Sequence, residues 1–265
     1  MSLLKAIIFL IILLNQIVAS DENTNLNLGG GIAYISLPEY IGSSGQKNYL
    51  VPYPYIYYTS KNLTIEKNTI FNHLYRSANF EIDISLSGTL PVKDSIHSLR
   101  TGMKQLDPTL EIGPNFIYKL IHFEDKKGYL SFEMPIRIIL STDFSDLNHQ
   151  GYVTNPNLYI KYYLQHTSQI EFSSGPSYNT RKYNNYFYEV TSNDMTEKRE
   201  EYHSKGGYGG WKTTLGLSST AFENIWLGAF IRYYNLNHAV FTDSPLVSKE
   251  NALFYGLAFS YIFKN

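Results

Sequence analysis

The 265-residue chain has no cysteine, which excludes a disulfide-stapled fold and any thiolate metal site. It has almost no net charge, since 22 Lys and Arg stand against 23 Asp and Glu and leave −1. No basic stripe is available to neutralise phosphates, so no nucleic-acid partner is expected. Beyond the first twenty residues long apolar runs are absent, because charged or polar side chains interrupt each one. A membrane-spanning helix needs roughly 20 consecutive apolar residues, so the remaining way across a bilayer is a closed barrel. No two histidines stand at i, i+4, and no metal-ligand spacing appears. Gly29-Gly30-Gly31 lacks the G-x-G-x-x-G spacing of a phosphate loop and reads as the flexible start of a strand. No cofactor or metal is expected.

At the amino terminus, Lys5 precedes the apolar run Ala6 to Leu14, and small Val18-Ala19-Ser20 comes before acidic Asp21-Glu22. This pattern predicts a cleaved secretory signal over residues 1–20 and one mature domain over residues 21–265. Aromatics are abundant over the whole chain: with 24 Tyr, 15 Phe and 2 Trp they make up 15% of it. Girdles at two membrane interfaces are one use for such an excess.

Period-two alternation recurs throughout. Leu253, Tyr255, Leu257, Phe259, Tyr261 and Phe263 are large and apolar, whereas Gly256, Ala258 and Ser260 between them are small. Phe80, Ile82, Ile84 and Leu86 alternate with Glu81, Asp83, Ser85 and Ser87. Successive side chains of a strand point to opposite faces, so one face is greasy and the other polar. A soluble β-sandwich alternates too. Charges in mid-strand, long strands and the leader favour an all-β, antiparallel, up-and-down transmembrane barrel in the outer membrane of a Gram-negative cell.

Long polar stretches at 37–48, 91–107, 141–153, 178–208 and 237–250 alternate with short turns, the pattern of external loops and periplasmic turns. With both termini on the short-turn side the strand number is even. A short hairpin around Glu66-Lys67-Asn68 makes twelve strands, with ten as the count if residues 61–76 do not form a pair. The strands fall near 26–36, 49–59, 61–66, 69–76, 79–90, 109–121, 128–140, 154–165, 168–177, 209–220, 224–236 and 251–263.

The inward face carries Glu81, Asp83, Glu111, Glu133 and Glu171 with Lys119, Arg137, Lys161, Lys212 and Arg232. A small barrel fills its interior with satisfied polar groups, so these charges are expected to pair rather than to line a selective pore. His97-Ser98 and His203-Ser204 are adjacent in sequence, and neighbours in a strand point apart, which is wrong for a nucleophile and its base. Asp143, Asp146 and Asp194 are scattered over external loops without paired spacing. No catalytic residue is assigned and an enzyme is not expected. The loop 178–208, with its aromatic Tyr183-Asn184-Asn185-Tyr186-Phe187-Tyr188, either folds back over the barrel mouth or presents aromatics to a glycan or protein.

Five segments resemble the MipA/OmpV family of outer-membrane proteins: Pro38 to Ser43, Val51 to Ile56, Ser85 to Gly88, Gly102 to Pro114 and Thr242 to Val247. They occur in the family's order along the whole mature chain, and Leu106 to Pro114 is the most specific. The resemblance implies a non-enzymatic barrel in contact with outer-membrane lipid that scaffolds peptidoglycan synthesis and remodelling. Its implied partners are a lytic transglycosylase and a penicillin-binding protein. The alternative is a small diffusion pore or an adhesin-like barrel. Lys264-Asn265 after Phe263 departs from the aromatic ending usual in barrels.

Overall fold

The protein is described by a computed structural model over residues 25–59, 63–66, 69–72, 74–92, 99–143, 145–165 and 167–263. Its strands are β1 (Asn25–Pro38), β2 (Gln46–Thr59), β3 (Leu63–Glu66), β4 (Thr69–Asn72), β5 (Tyr75–Arg76), β6 (Phe80–Thr89) and β7 (Thr109–His122). They continue with β8 (Gly128–Thr142), β9 (Leu147–Thr154), β10 (Asn157–Gln165), β11 (Ser168–Asn179), β12 (Gly207–Phe222), β13 (Ile225–Asn235) and β14 (Asn251–Phe263). One helix, α1 (Arg181–Tyr188), follows β11.

All fourteen segments belong to one antiparallel sheet. Both β9 and β10 pair with β8 and with β11, so they form one strand interrupted at Asn155-Pro156. β4 pairs with β3, lies beside β6, and leads into β5, which pairs with β6. The Leu74 amide between them donates to the Ile82 carbonyl at 2.8 Å. This one strand joins the two ends of the sheet, and β1 pairs with β14 at Ile32↔Phe259. The ring is therefore closed with the expected twelve strands, and closure removes the edges that lipid would not tolerate. The 61–76 pair exists, but Glu66 faces Thr69 and the hairpin is short.

The period-two reading of the faces holds in space. Leu253, Leu257 and Phe263 are exposed, whereas Ala252, Gly256 and Ser260 are buried. The same exposed apolar series continues over Ile32, Leu158, Phe172, Leu215, Leu227 and Ile231. Such a belt is unstable in water and stable against acyl chains, which makes it the lipid-facing wall of a membrane barrel.

Two expectations are corrected. The stretch 141–153 is mostly wall: β8 runs to Thr142, β9 starts at Leu147, and a tight turn remains. Gly29-Gly30-Gly31 is not a loose lead-in but lies within β1, paired to β2 and β14 on either side. A Cβ at Gly31 would collide with the Phe259 carbonyl, so glycine is what lets the first and last strands approach.

Candidate functional site

Four long loops converge inside one mouth of the barrel. From the loop after β1 come Tyr40 and Ile41, and from the loop after β6 come Val92, Met103 and Leu106. The α1 region adds Tyr183, Phe187, Tyr188 and Val190, and the loop after β13 adds Leu236, Phe241 and Leu246. With Ile139 and Val153 of the wall they form one apolar core. Phe241 is 1% exposed, and its ring stacks on Tyr188 with centroids 4.0 Å apart.

Polar staples lock the loops together. The Tyr40 hydroxyl donates to the Leu246 carbonyl at 2.8 Å, and the Tyr188 hydroxyl to the Ile41 carbonyl at 3.0 Å. Arg100 donates to the Phe187 carbonyl at 2.8 Å, and Arg199 to the Leu99 carbonyl at 2.7 Å. Burial pushes the Tyr40 phenol up to about 12 and the Tyr183 and Tyr188 phenols well above their ordinary value. Burial lowers Arg100. These shifts are the mark of polar groups taken out of water and held by hydrogen bonds.

The local sequence explains α1. Tyr183, Asn184, Phe187 and Tyr188 share its buried side, while Arg181 and Lys182 stay exposed. Asn184 is fully buried and satisfied, donating to the Lys205 carbonyl at 2.7 Å and accepting from Asn179 at 3.0 Å. Gly151 of β9 sits at φ +103 against Thr180 and the Tyr183 amide, a place where only a residue without Cβ lets the helix enter the wall. Of the two readings of loop 178–208, the fold-back is realised. Three of its aromatics are spent on the plug rather than displayed.

Below the plug, a cavity of about 1030 Å³ occupies the half of the barrel toward the short turns. Its space comes from small inward residues, Gly216, Ser218, Gly228, Gly256 and Ala258, on β12 to β14. The facing wall is charged. Lys119 meets Glu81 at 2.6 Å, Arg76 meets the same carboxylate at 3.0 Å, and Lys161 faces Glu171 at 3.8 Å. Glu133 accepts hydrogen bonds from the neutral Asn115 and Ser131 at 3.2 and 3.3 Å. Above the cavity, Arg137 meets Glu111 at 3.6 Å. The expected pairing of lumen charges is thus realised for Glu81 with Lys119, Glu111 with Arg137 and Glu171 with Lys161. Lys212 and Arg232 make no ion pair among the described residues. That is a departure from full pairing, decided by which strands face one another.

The residues weighed for chemistry are not brought together. His203 is exposed and bridges Glu189 at 2.7 Å and Glu201 at 3.3 Å, while the buried Ser204 hydroxyl has no partner. The hydrogen bond to Glu189 raises His203 above its ordinary value. Asp143 caps the β8–β9 turn, accepting from the Ser145 and Asp146 amides at 2.8 and 3.0 Å, and those bonds hold its carboxyl low. Asp194 closes a separate turn by accepting from Thr191 at 2.6 Å. His73, His97-Ser98, His166 and Lys264-Asn265 lie outside the described residues. Among the described residues no group of three His, Asp or Glu could hold a metal ion. Two features escaped sequence reading: the joining of three further loops to the 178–208 loop in one plug, and the cavity beside the small residues. Glycines and alanines on alternate positions of the last three strands were the signal for the cavity.

The family described as MltA-interacting protein MipA matches the chain over residues 28–263. No curated protein matches it. Among solved structures the chain is similar to the NanC porin, at 10% identity and a TM-score of 0.36, covering 89% of this chain and 99% of that one. It is also similar to the outer membrane protein OprG from Pseudomonas aeruginosa, at 11% identity and a TM-score of 0.27, covering 91% and 96%. A third is the CymD monoaromatic hydrocarbon channel, at 8% identity and a TM-score of 0.35, covering 93% and 90%.

Proposed function

This chain belongs to the MipA family, and from that membership and its sealed mouth we propose a non-enzymatic outer-membrane barrel that scaffolds murein-remodelling enzymes. The partner is a lytic transglycosylase, the class to which the family description's MltA points, together with a penicillin-binding protein. In this reading residues 1–20 are the cleaved export signal, and the short turns with the lower cavity face the periplasm. The observation that carries it is the four-loop plug. A barrel stoppered by a packed apolar core at one mouth has its accessible face at the other, where the short turns lie. Phe222, 71% exposed at the end of β12 beside its turn to β13, is a natural anchor there.

Specific interfaces bury about 800 Å² per partner, so several turns have to act together. Crosslinking in intact cells followed by solubilisation and capture tests the proposal. Enrichment of a transglycosylase that is lost in Phe222→Asp supports it; capture of no murein enzyme removes it. The cavity favours a second reading, a small diffusion pore whose plug opens. Planar-bilayer recordings that show steady single-channel steps from the intact chain would favour the pore over the scaffold.

A further inference from the structure

The lumen charges are segregated along the barrel axis. Around the cavity, Glu81, Asp83, Glu133 and Glu171 outnumber Arg76, Lys119 and Lys161 by one. Between the cavity and the plug the sign reverses. Lys212 shares one face of β12 with Thr214, which is the register partner of Arg232, and Arg137 meets Glu111 at 3.6 Å. Among the described residues Glu111 is the one carboxylate in ion-pair range of these three cations.

The cations are also poorly satisfied. Among the described residues Lys212 makes neither an ion pair nor a hydrogen bond. Arg232 donates to two neutral partners, from Nε to the Thr214 hydroxyl at 3.2 Å and to the Tyr234 phenol. Arg137 is 8% exposed; its Nε makes no hydrogen bond and reaches Glu111 only at 3.6 Å. Buried charge without compensation is unfavourable, and guanidinium forks and ammonium groups are the usual holders of oxyanions.

The cluster adjoins the cavity on one side. The Arg232 guanidinium lies 6.0 Å from the Phe230 ring, and Phe230 lines the cavity. Thr214 stands two residues from Gly216, which lines it too, about 7 Å along a strand. We propose that Lys212, Arg232 and Arg137 hold a small oxyanion, a carboxylate or a phosphate group, that enters through the cavity from the short-turn side. This site is independent of the scaffold reading and survives its failure.

The test uses the full chain refolded in detergent micelles at constant ionic strength, with chloride replaced stepwise by inorganic phosphate or by acetate. Heat-unfolding midpoints and isothermal titration are read. The expected result is saturable binding of one or both anions, weakened about tenfold or more in Lys212→Met. Binding of phosphate alone or acetate alone identifies the group the site takes. Lys212→Met should fold at least as stably as the parent in chloride, since it removes an uncompensated charge, and Lys127→Met, on an exposed turn, should bind as the parent does. The proposal is overturned if neither anion binds above chloride, if Lys212→Met and Arg232→Met bind unchanged, or if Lys127→Met loses as much as Lys212→Met.

Discussion

Removing the Phe241 ring should open the barrel mouth without loosening the wall. Phe241 is 1% exposed and stacked on Tyr188 at 4.0 Å with planes 6° apart. Phe→Ala in a packed core costs about 3–5 kcal/mol, of which the aromatic pair accounts for about 0.5–1.5 kcal/mol. This core packs loop against loop, so the cost falls on plug opening rather than on the hydrogen-bonded ladder. At about 1.4 kcal/mol per tenfold, the open population rises by roughly 10²-fold to several thousandfold. Hydrogen exchange reads this directly. The Val190 amide, bonded to the Tyr202 carbonyl, and the Leu236 amide, bonded to the Glu250 carbonyl, should exchange faster by that factor in Phe241→Ala. Amides of the β13–β14 ladder should not change. Phe259→Ala, on the lipid face, is the control and should leave the plug amides alone. A rise of less than tenfold at Val190 and Leu236, or an equal rise across the ladder, refutes the idea that the plug is a separate cooperative unit.

Three further outcomes are expected. Leu257, 61% exposed in mid-belt, and Leu147, 67% exposed at the β8–β9 turn, separate lipid from water. Leu257→Arg should cost about 2–4 kcal/mol in bilayers and Leu147→Arg far less, so equal costs in urea unfolding would contradict the belt. Glu81→Gln leaves Lys119 and Arg76 without their shared carboxylate. The Lys119 pair is largely buried and Arg76 is half exposed, so the loss should be about 3 kcal/mol, partly recovered by adding Lys119→Met; no recovery would mean the pair is not the cause. His203 is raised by Glu189, so its contribution to holding the α1 loop is complete below its unfolded value near 6.5 and fades as pH rises through the raised folded value. Exchange protection around Glu189 should fall across that window and become flat in His203→Gln; an increase with pH would reverse the assignment.

Much of the wall was legible because its signal is local. Alternation of Leu253 to Phe263 with Gly256, Ala258 and Ser260 states which face meets lipid, whatever the neighbours are. Parity then demanded the weak pair at 61–76, and closure through Leu74 shows why: without it β2 and β6 have no link. Residues 141–153 misled because Asn148, His149 and Gln150 are polar, yet they continue the wall above the apolar belt, where polar side chains are at no disadvantage. Gly29 to Gly31 misled because glycine weakens a strand by itself, while here it is needed for contact with a strand some 230 residues later in the chain.

The sequence by itself determined that this protein is an antiparallel membrane barrel that resembles the MipA family, because face alternation and ordered segments are written residue by residue. Closure through residues 69–76 decided twelve strands over ten. Only the tertiary structure decided that one mouth is closed and that charge is sorted along the lumen. Tyr40 meets Leu246 across 206 positions and Arg199 meets Leu99 across 100, and no local pattern encodes such meetings. They exist because closing the ring brings four loops to one rim, where their apolar side chains bury one another.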